Sequence, residues 1–401
     1  MKPLSWIGIL RLGLVQMALG AIVVLTTATM NRVMVVELAL PAILPGFLVA
    51  LYDGTQIARP KFGHAADGGA RRTPWILGGV AILCAGGIGA ALSVALMETH
   101  TLAGIAAAIG AFLLIGFGIG AAGTNLLALL ALRVSDERKA AAGSAVWMMM
   151  IAGLAATGIV VGLNLDPYSS ARLVAITCIV AAVAMTLALV GTLGIEGRPQ
   201  ALPLARQSSF REALGEVWED PTARAFAVFV FAAMLAYNLQ DLILEPFAGH
   251  VFGMTPGEST KLGGMLHAGA LLGMFVVLLS GTLLKRWLHV PVRLWIVGGC
   301  TASGLALIAL AFGGHQASWP VQANVFALGL ANGIFAVAAI GAMMMLATGG
   351  DRAREGTRMG VFGAAQAIAF GLGSFTGTVA VDVMRSLTPD LPTAYGAVFI
   401  G

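Results

Sequence analysis

Apolar runs of about 20 residues, the length that crosses a bilayer as a helix, succeed one another along nearly the whole chain, with short polar joints between most of them. They fall near residues 11–30, 37–57, 74–97, 102–132, 140–163, 171–194, 224–250, 260–284, 291–313, 320–347 and 359–382. A twelfth begins near Thr393 and meets Gly401 a few residues later, so most of the last helix is expected to be missing. In hydrocarbon every backbone N–H and C=O needs a partner inside the protein, and a run of this kind satisfies that need as a helix. The expected class is an all-α polytopic membrane protein with 12 transmembrane helices. Only 10% of its residues are charged, against roughly 25% in a soluble domain. The first run follows Lys2 and Arg11 without a clear cleavage site, and reads as a retained span.

Charge placement tests this assignment. With the N-terminus in the cytoplasm, all but four of the 23 lysines and arginines lie on the cytoplasmic side; the exceptions are Arg32, Arg172, Lys261 and Arg385. That is the asymmetry of a multi-pass inner-membrane protein. The net charge of +4 is small, and the expected surroundings are a lipid bilayer, with no nucleic acid. The longest polar connection, Ile195 to Thr222, divides the chain into an N-terminal half of six helices (1–194), a cytoplasmic linker (195–223) and a C-terminal half (224–401). Ser209 and Glu212 have capping-box spacing. Phe210, Leu214, Val217 and Trp218 then share one face, which predicts an amphipathic helix on the membrane surface, ended by Pro221. Cys84, Cys178 and Cys300 all lie in apolar runs without metal or pairing spacing and read as small buried side chains. Small-xxx-small pairs such as Gly116/Gly120, Gly329/Gly333 and Gly373/Gly377 predict close helix contacts.

One stretch breaks the apolar pattern. From Tyr237 to Thr260 the chain carries Asn238, Gln240, Asp241, Glu245 and His250 inside or beside the seventh span. Ionisable residues at membrane depth are expensive and mark function by default. Asp241 and Glu245, four residues apart, repel unless one is protonated or paired. Counting from the cytoplasmic end puts both in the outer half, where Arg32, Glu37 and His267 also fall. These eight residues are the candidate ligand or inter-half site. Arg32 is the nearest cation for the acidic pair, and a link from Arg32 to Asp241 or Glu245 is expected. Pro246 is expected to bend or end the helix. A neutral His267 has the chemistry to ligate the magnesium of a chlorin; a helix–helix hydrogen bond is the plainer reading.

Six helices, a cytoplasmic linker and six more form the plan of the major facilitator superfamily, built from parallel repeats. Gly63 to Arg72, GHAADGGARR, resembles that superfamily's signature G-x-x-x-D-R-x-G-R-R at Gly63, Asp67, Arg71 and Arg72. The resemblance implies a conformational latch at the cytoplasmic helix ends. Three longer stretches, Met30 to Gly46, Arg71 to Gly79 and Gln240 to Thr260, resemble the signatures of the PucC/LhaA family of photosynthetic bacteria. That resemblance implies an assembly factor for light-harvesting complexes in the inner or intracytoplasmic membrane. It would bind or deliver bacteriochlorophyll, with antenna α and β polypeptides or pigment-synthesis enzymes as partners.

Two other classes compete. A secondary transporter of a small organic solute could couple to protons through Asp241 and Glu245, although the fifth span lacks the glycine-proline motif of proton-coupled drug exporters. A membrane prenyltransferase needs aspartate-rich magnesium motifs, and no two aspartates here stand as D-x-x-D or D-x-x-x-D. The expectation is therefore that the chain is not an enzyme.

Overall fold

A computed structural model describes residues 4–55, 71–196, 221–282, 291–348 and 355–401, together with 215, 218 and 219. Every regular element among them is a helix. In chain order these are α1 (Trp6–Val24), α2 (Ile43–Thr55), α3 (Arg72–Met97), α4 (Thr101–Arg133), α5 (Lys139–Asn164), α6 (Ser170–Thr192), α7 (Pro221–Leu239), α8 (Leu244–Phe252), α9 (Pro256–Thr282), α10 (Val292–Gly313), α11 (Val321–Thr348), α12 (Glu355–Leu387) and α13 (Leu391–Ile400). With α7 and α8 as two pieces of one crossing, the count is twelve, in the expected order. Among the described residues nine helical segments are long and apolar enough to span a membrane, and α2 and α13 are shorter apolar helices.

Three local outcomes differ from the sequence reading. The first span does not stop at Asn31. It continues from Trp6 to Glu37, through two π-helical stretches, Leu25–Met30 and Val33–Glu37. No proline or glycine stands between Gly20 and Pro41 to end it; termination falls to Ala39, in the left-handed region at φ 50°. The seventh span is interrupted at Gln240–Ile243, upstream of Pro246. Pro246 instead lies in the first turn of α8, where its missing N–H has no intrahelical acceptor to lose. Cys178 is exposed on α6, whereas Cys84 is buried. Pro221 opens α7. Most of the expected amphipathic helix, and Gly63 and Asp67 of the latch, lie outside the described residues.

Contacts group the chain into two units. The first holds Met1–Pro203 and Leu244–His267. Within it α3 packs on α4, and α1 packs on α5 and α6. α5 also meets the start of α9 at glycine: a Cβ on Gly162 would lie 2.5 Å from the Lys261 nitrogen and 2.6 Å from the Gly257 oxygen. The second unit holds Leu204–Ile243 and Ala268–Gly401. There α10 packs on α11, and α7 on α12, where Gly373 and Gly377 sit against the carbonyls of Leu235 and Leu239. Ala227, Met234, Phe335, Ala339 and Ala369 form its buried apolar cluster.

Backbone cannot retreat from an added methyl as a flexible side chain can, so Gly162→Val should lower stability by about 1–3 kcal/mol. At Gly143 an added methyl would meet nothing within 4 Å, so alanine should be accepted there with unchanged or higher stability. Thermal unfolding of the detergent-purified variants checks both outcomes.

Candidate functional site

The polar site of the first unit is organised by Arg32, which is only 2% exposed. Its Nη1 donates to Glu37 Oε1. Its Nη2 donates to the Met254 carbonyl at 2.6 Å. The guanidinium lies over Gly249, where a Cβ would come within 3.0 Å of Nη2. Gly253, at φ 64°, turns the chain at the end of α8, the Met254 N–H reaching back to the Ala248 carbonyl. Arg32 thus caps the C-terminal, electronegative end of α8. The cation expected to meet Asp241 or Glu245 is taken up instead by Glu37 and a helix end. No residue pattern announces this arrangement, because Met254 contributes only its backbone.

Glu245 occupies the other end of the same helix. It stands in the first turn of α8, 2% exposed, where the N-terminal dipole favours a carboxylate. The Glu245 Oε1 rests over Gly263 of α9, in space that a Cβ there would occupy. A nine-residue helix is marginal by itself. Here opposite charges match both ends of its dipole. His250 is half-buried in the last turn of α8, and His267 is half-buried one turn beyond Gly263 on α9.

The remaining candidates belong to the second unit. Asn238 Nδ2 donates to the Phe370 carbonyl at 2.8 Å and to Ser374 Oγ at 3.0 Å, which fixes α7 on α12. Gln240 is buried and Asp241 half-buried, both in the interruption between α7 and α8. Among the latch residues, Arg71 is exposed, whereas Arg72 is buried with its Nη1 on Asn125 Oδ1 at 3.2 Å.

Sequence reading missed a second set of polar residues in the first unit. Asp166 accepts from Thr255 Oγ1 at 2.5 Å and from the Gly257 N–H at 3.1 Å, joining the α5–α6 loop to the start of α9. Thr255 and Glu258 exchange backbone N–H bonds at 2.9 and 3.2 Å. That is a capping box, and its T-x-x-E spacing was available in the sequence. Tyr168, in the same loop, has its phenol pushed up to about 12, first by burial and then by the negative charge of Glu98. Among the described residues no group of three or more His, Cys, Asp or Glu side chains is placed to hold a metal ion.

A family model described as PUCC protein matches residues 29–401. The chain belongs to that family. It is 50% identical over 397 residues to the bacteriochlorophyll synthase 44.5 kDa chain of Rhodobacter capsulatus, covering 99% of this chain and 92% of the relative. It is 30% identical over 426 residues to Protein PucC of the same organism, covering 100% of this chain and 87% of the relative. Among solved structures it resembles the D-xylose-proton symporter (TM-score 0.68, 16% identity, 99% of this chain and 96% of that one). The nucleoside transporter NupG D323A mutant is similar too (TM-score 0.67, 16% identity, 98% and 95%). At such identities these likenesses establish the fold, that of the major facilitator superfamily. This PUCC-family chain is a multi-pass membrane protein.

The buried guanidinium makes an asymmetric prediction. Glu37 is itself exposed, so Glu37→Ala, which takes the carboxylate from the buried Arg32, should cost about 1–3 kcal/mol. Adding Arg32→Met to it should recover much of the loss, since the uncompensated charge is then gone. Unfolding midpoints of the single and double variants test this. Tyr168 lies outside the spans and gives a pH signature. Its folded pKa is raised, so its contribution to stability is complete below about 10 and is lost as pH climbs towards about 12. Tyr168→Phe should remove that loss, along with one phenolate transition, in an alkaline titration followed by ultraviolet absorbance.

Proposed function

We propose that this chain is a membrane assembly factor for bacterial light-harvesting complexes, handling bacteriochlorophyll as cargo for the antenna polypeptides. The observation that carries this reading is the 50% identity, over nearly its whole length, to a chain named for bacteriochlorophyll synthesis, within a family that includes Protein PucC. The half-buried His250 and His267 suit such a cargo, since imidazole is a ligand type for chlorin magnesium, while Arg32, Glu37 and Glu245 belong to the same unit and position α8. Asn238, Gln240 and Asp241 form a second polar patch. Gly63, Asp67, Arg71 and Arg72 act as the latch of the cytoplasmic helix ends. The setting is the inner or intracytoplasmic membrane, with the N-terminus in the cytoplasm. The six-helix halves 1–194 and 224–401 are the functional repeats, joined by the linker 195–223. The relative's name speaks of a synthase; this chain's aspartate spacing supports a carrier or chaperone, not an enzyme.

A second reading is a proton-coupled transporter of a small organic solute, favoured by the fold shared with a proton symporter and by Asp241 and Glu245 within the seventh crossing. Purification from the native pigmented membrane separates the two. The assembly reading expects co-purifying bacteriochlorophyll absorbance and antenna polypeptides, and a large loss of antenna in a deletion strain. A colourless preparation, from a protein whose deletion leaves antenna levels unchanged, overturns it. His267→Ala should reduce the retained pigment several-fold while the protein still inserts and folds.

A further inference from the structure

At the arginine-rich end of the first unit a crevice of about 380 Å³ opens between the start of α3 and the end of α6. Arg71, Thr73, Leu77, Leu189, Leu193 and Glu196 are among its lining residues. Among the described residues its one lining carboxylate is already committed. Glu196 accepts from the N–H of Arg72, and from that of Thr73 at 2.8 Å, capping the N-terminus of α3. Cations outnumber it. Arg11 donates to the carbonyls of Val190 and Leu193 at 2.7 and 2.5 Å, and Arg133 Nη1 donates to the Ile195 carbonyl at 2.5 Å. Arg71 is exposed at the crevice itself. Among the described residues the Thr73 hydroxyl, buried in its wall, has no hydrogen-bond partner. On the apolar side, Leu189 and Leu193 are exposed and continue into the outward face of α6 formed by Ile179, Val183 and Val190.

We propose that this crevice binds one anionic phospholipid, its phosphate on Arg71 and the Thr73 hydroxyl and its acyl chains along Leu77, Leu189 and Leu193. The chemistry is that of a basic interhelical pocket at the membrane surface, which selects anionic headgroups. A guanidinium provides paired donors for phosphate oxygens, a hydroxyl adds another, and the leucines extend towards the hydrocarbon. Among the described residues Arg71, Arg11 and Arg133 stand at this end beside Glu196. This assignment is independent of the cargo that the protein handles.

The test uses the whole chain in phosphatidylcholine nanodiscs titrated with phosphatidylglycerol, with lipid retention read by native mass spectrometry. One phosphatidylglycerol should be retained in preference to phosphatidylcholine. A basic contact at the membrane surface is worth about 1 kcal/mol, so Arg71→Gln should weaken that retention about fivefold. Thr73→Val should weaken it less. Arg138→Gln, which removes a charge on the same side bonded to Ser135, should leave it unchanged. Equal retention of the two lipids overturns the proposal. So does an Arg138→Gln effect as large as that of Arg71→Gln, which would make the preference one of bulk surface charge. Displacement of the lipid by inorganic phosphate at comparable concentration overturns it in favour of a free-anion site.

Discussion

A guanidinium that is almost wholly out of water needs partners for its charge, and the two that Arg32 finds, on Nη1 and Nη2, shape its surroundings. Glu37 supplies charge from five residues along the same segment. Met254 supplies a carbonyl from 222 residues away. To present that carbonyl the chain turns through the left-handed Gly253, and to let the guanidinium approach, the facing position of α8 is Gly249. The two π-helical stretches on either side of Arg32 belong to the same arrangement. π turns are rare and concentrate at functional positions. Here they accompany an ion pair at the end of a long apolar span.

From that contact the stability of α8 follows. The helix is short, and its N-terminal side is an interruption in which the Asp241 N–H donates to the Asn238 carbonyl and the Ile243 N–H to the Gln240 carbonyl. Exposed backbone of this kind is tolerated at membrane depth only when protein surrounds it, and Leu242, Ile243 and Leu244 are all buried. Glu245 at one end and Arg32 at the other oppose the dipole charges of the helix. Thr260 hydrogen-bonds Thr29 at 3.2 Å, and Asp166 holds the start of α9. Leu244–His267 is therefore grouped by its contacts with residues 1–203, although it follows the linker in sequence.

How legible this was depends on the range of the interactions involved. The spans could be read because apolarity over about 20 residues is a local property that the bilayer imposes on each segment separately. The order and number of crossings followed, and so did the glycine packing at Gly373 and Gly377. The end of the first span could not be read: Ala39 adopts a left-handed turn that sequence assigns to glycine or asparagine. The partner of Arg32 could not be read either, since a backbone carbonyl carries no residue signature. The Thr255–Glu258 cap was visible as spacing, but a T-x-x-E pair beside the costly carboxylates of the seventh span is a weak signal among strong ones. Asp166 and Tyr168 acquire their roles only from tertiary neighbours.

The stretch from Gln240 to Thr260 carries the family resemblance, and many of its conspicuous residues have structural work. Glu245 and Gly249 seat the two ends of α8, Gly253 and Met254 form the turn that meets Arg32, and Thr255, Gly257 and Glu258 build the start of α9. A family signature can therefore persist because it specifies a buried joint, whatever the cargo. Recognition of a ligand needs groups that remain reachable. Within this stretch Asp241 and His250 are half-buried, and His267 nearby is as well. In the first unit, His250 and His267 are more reachable than the fully buried Arg32 and Glu245. Arg32 and Glu245 instead fasten the two ends of α8, one at the Met254 carbonyl and the other against Gly263 of α9.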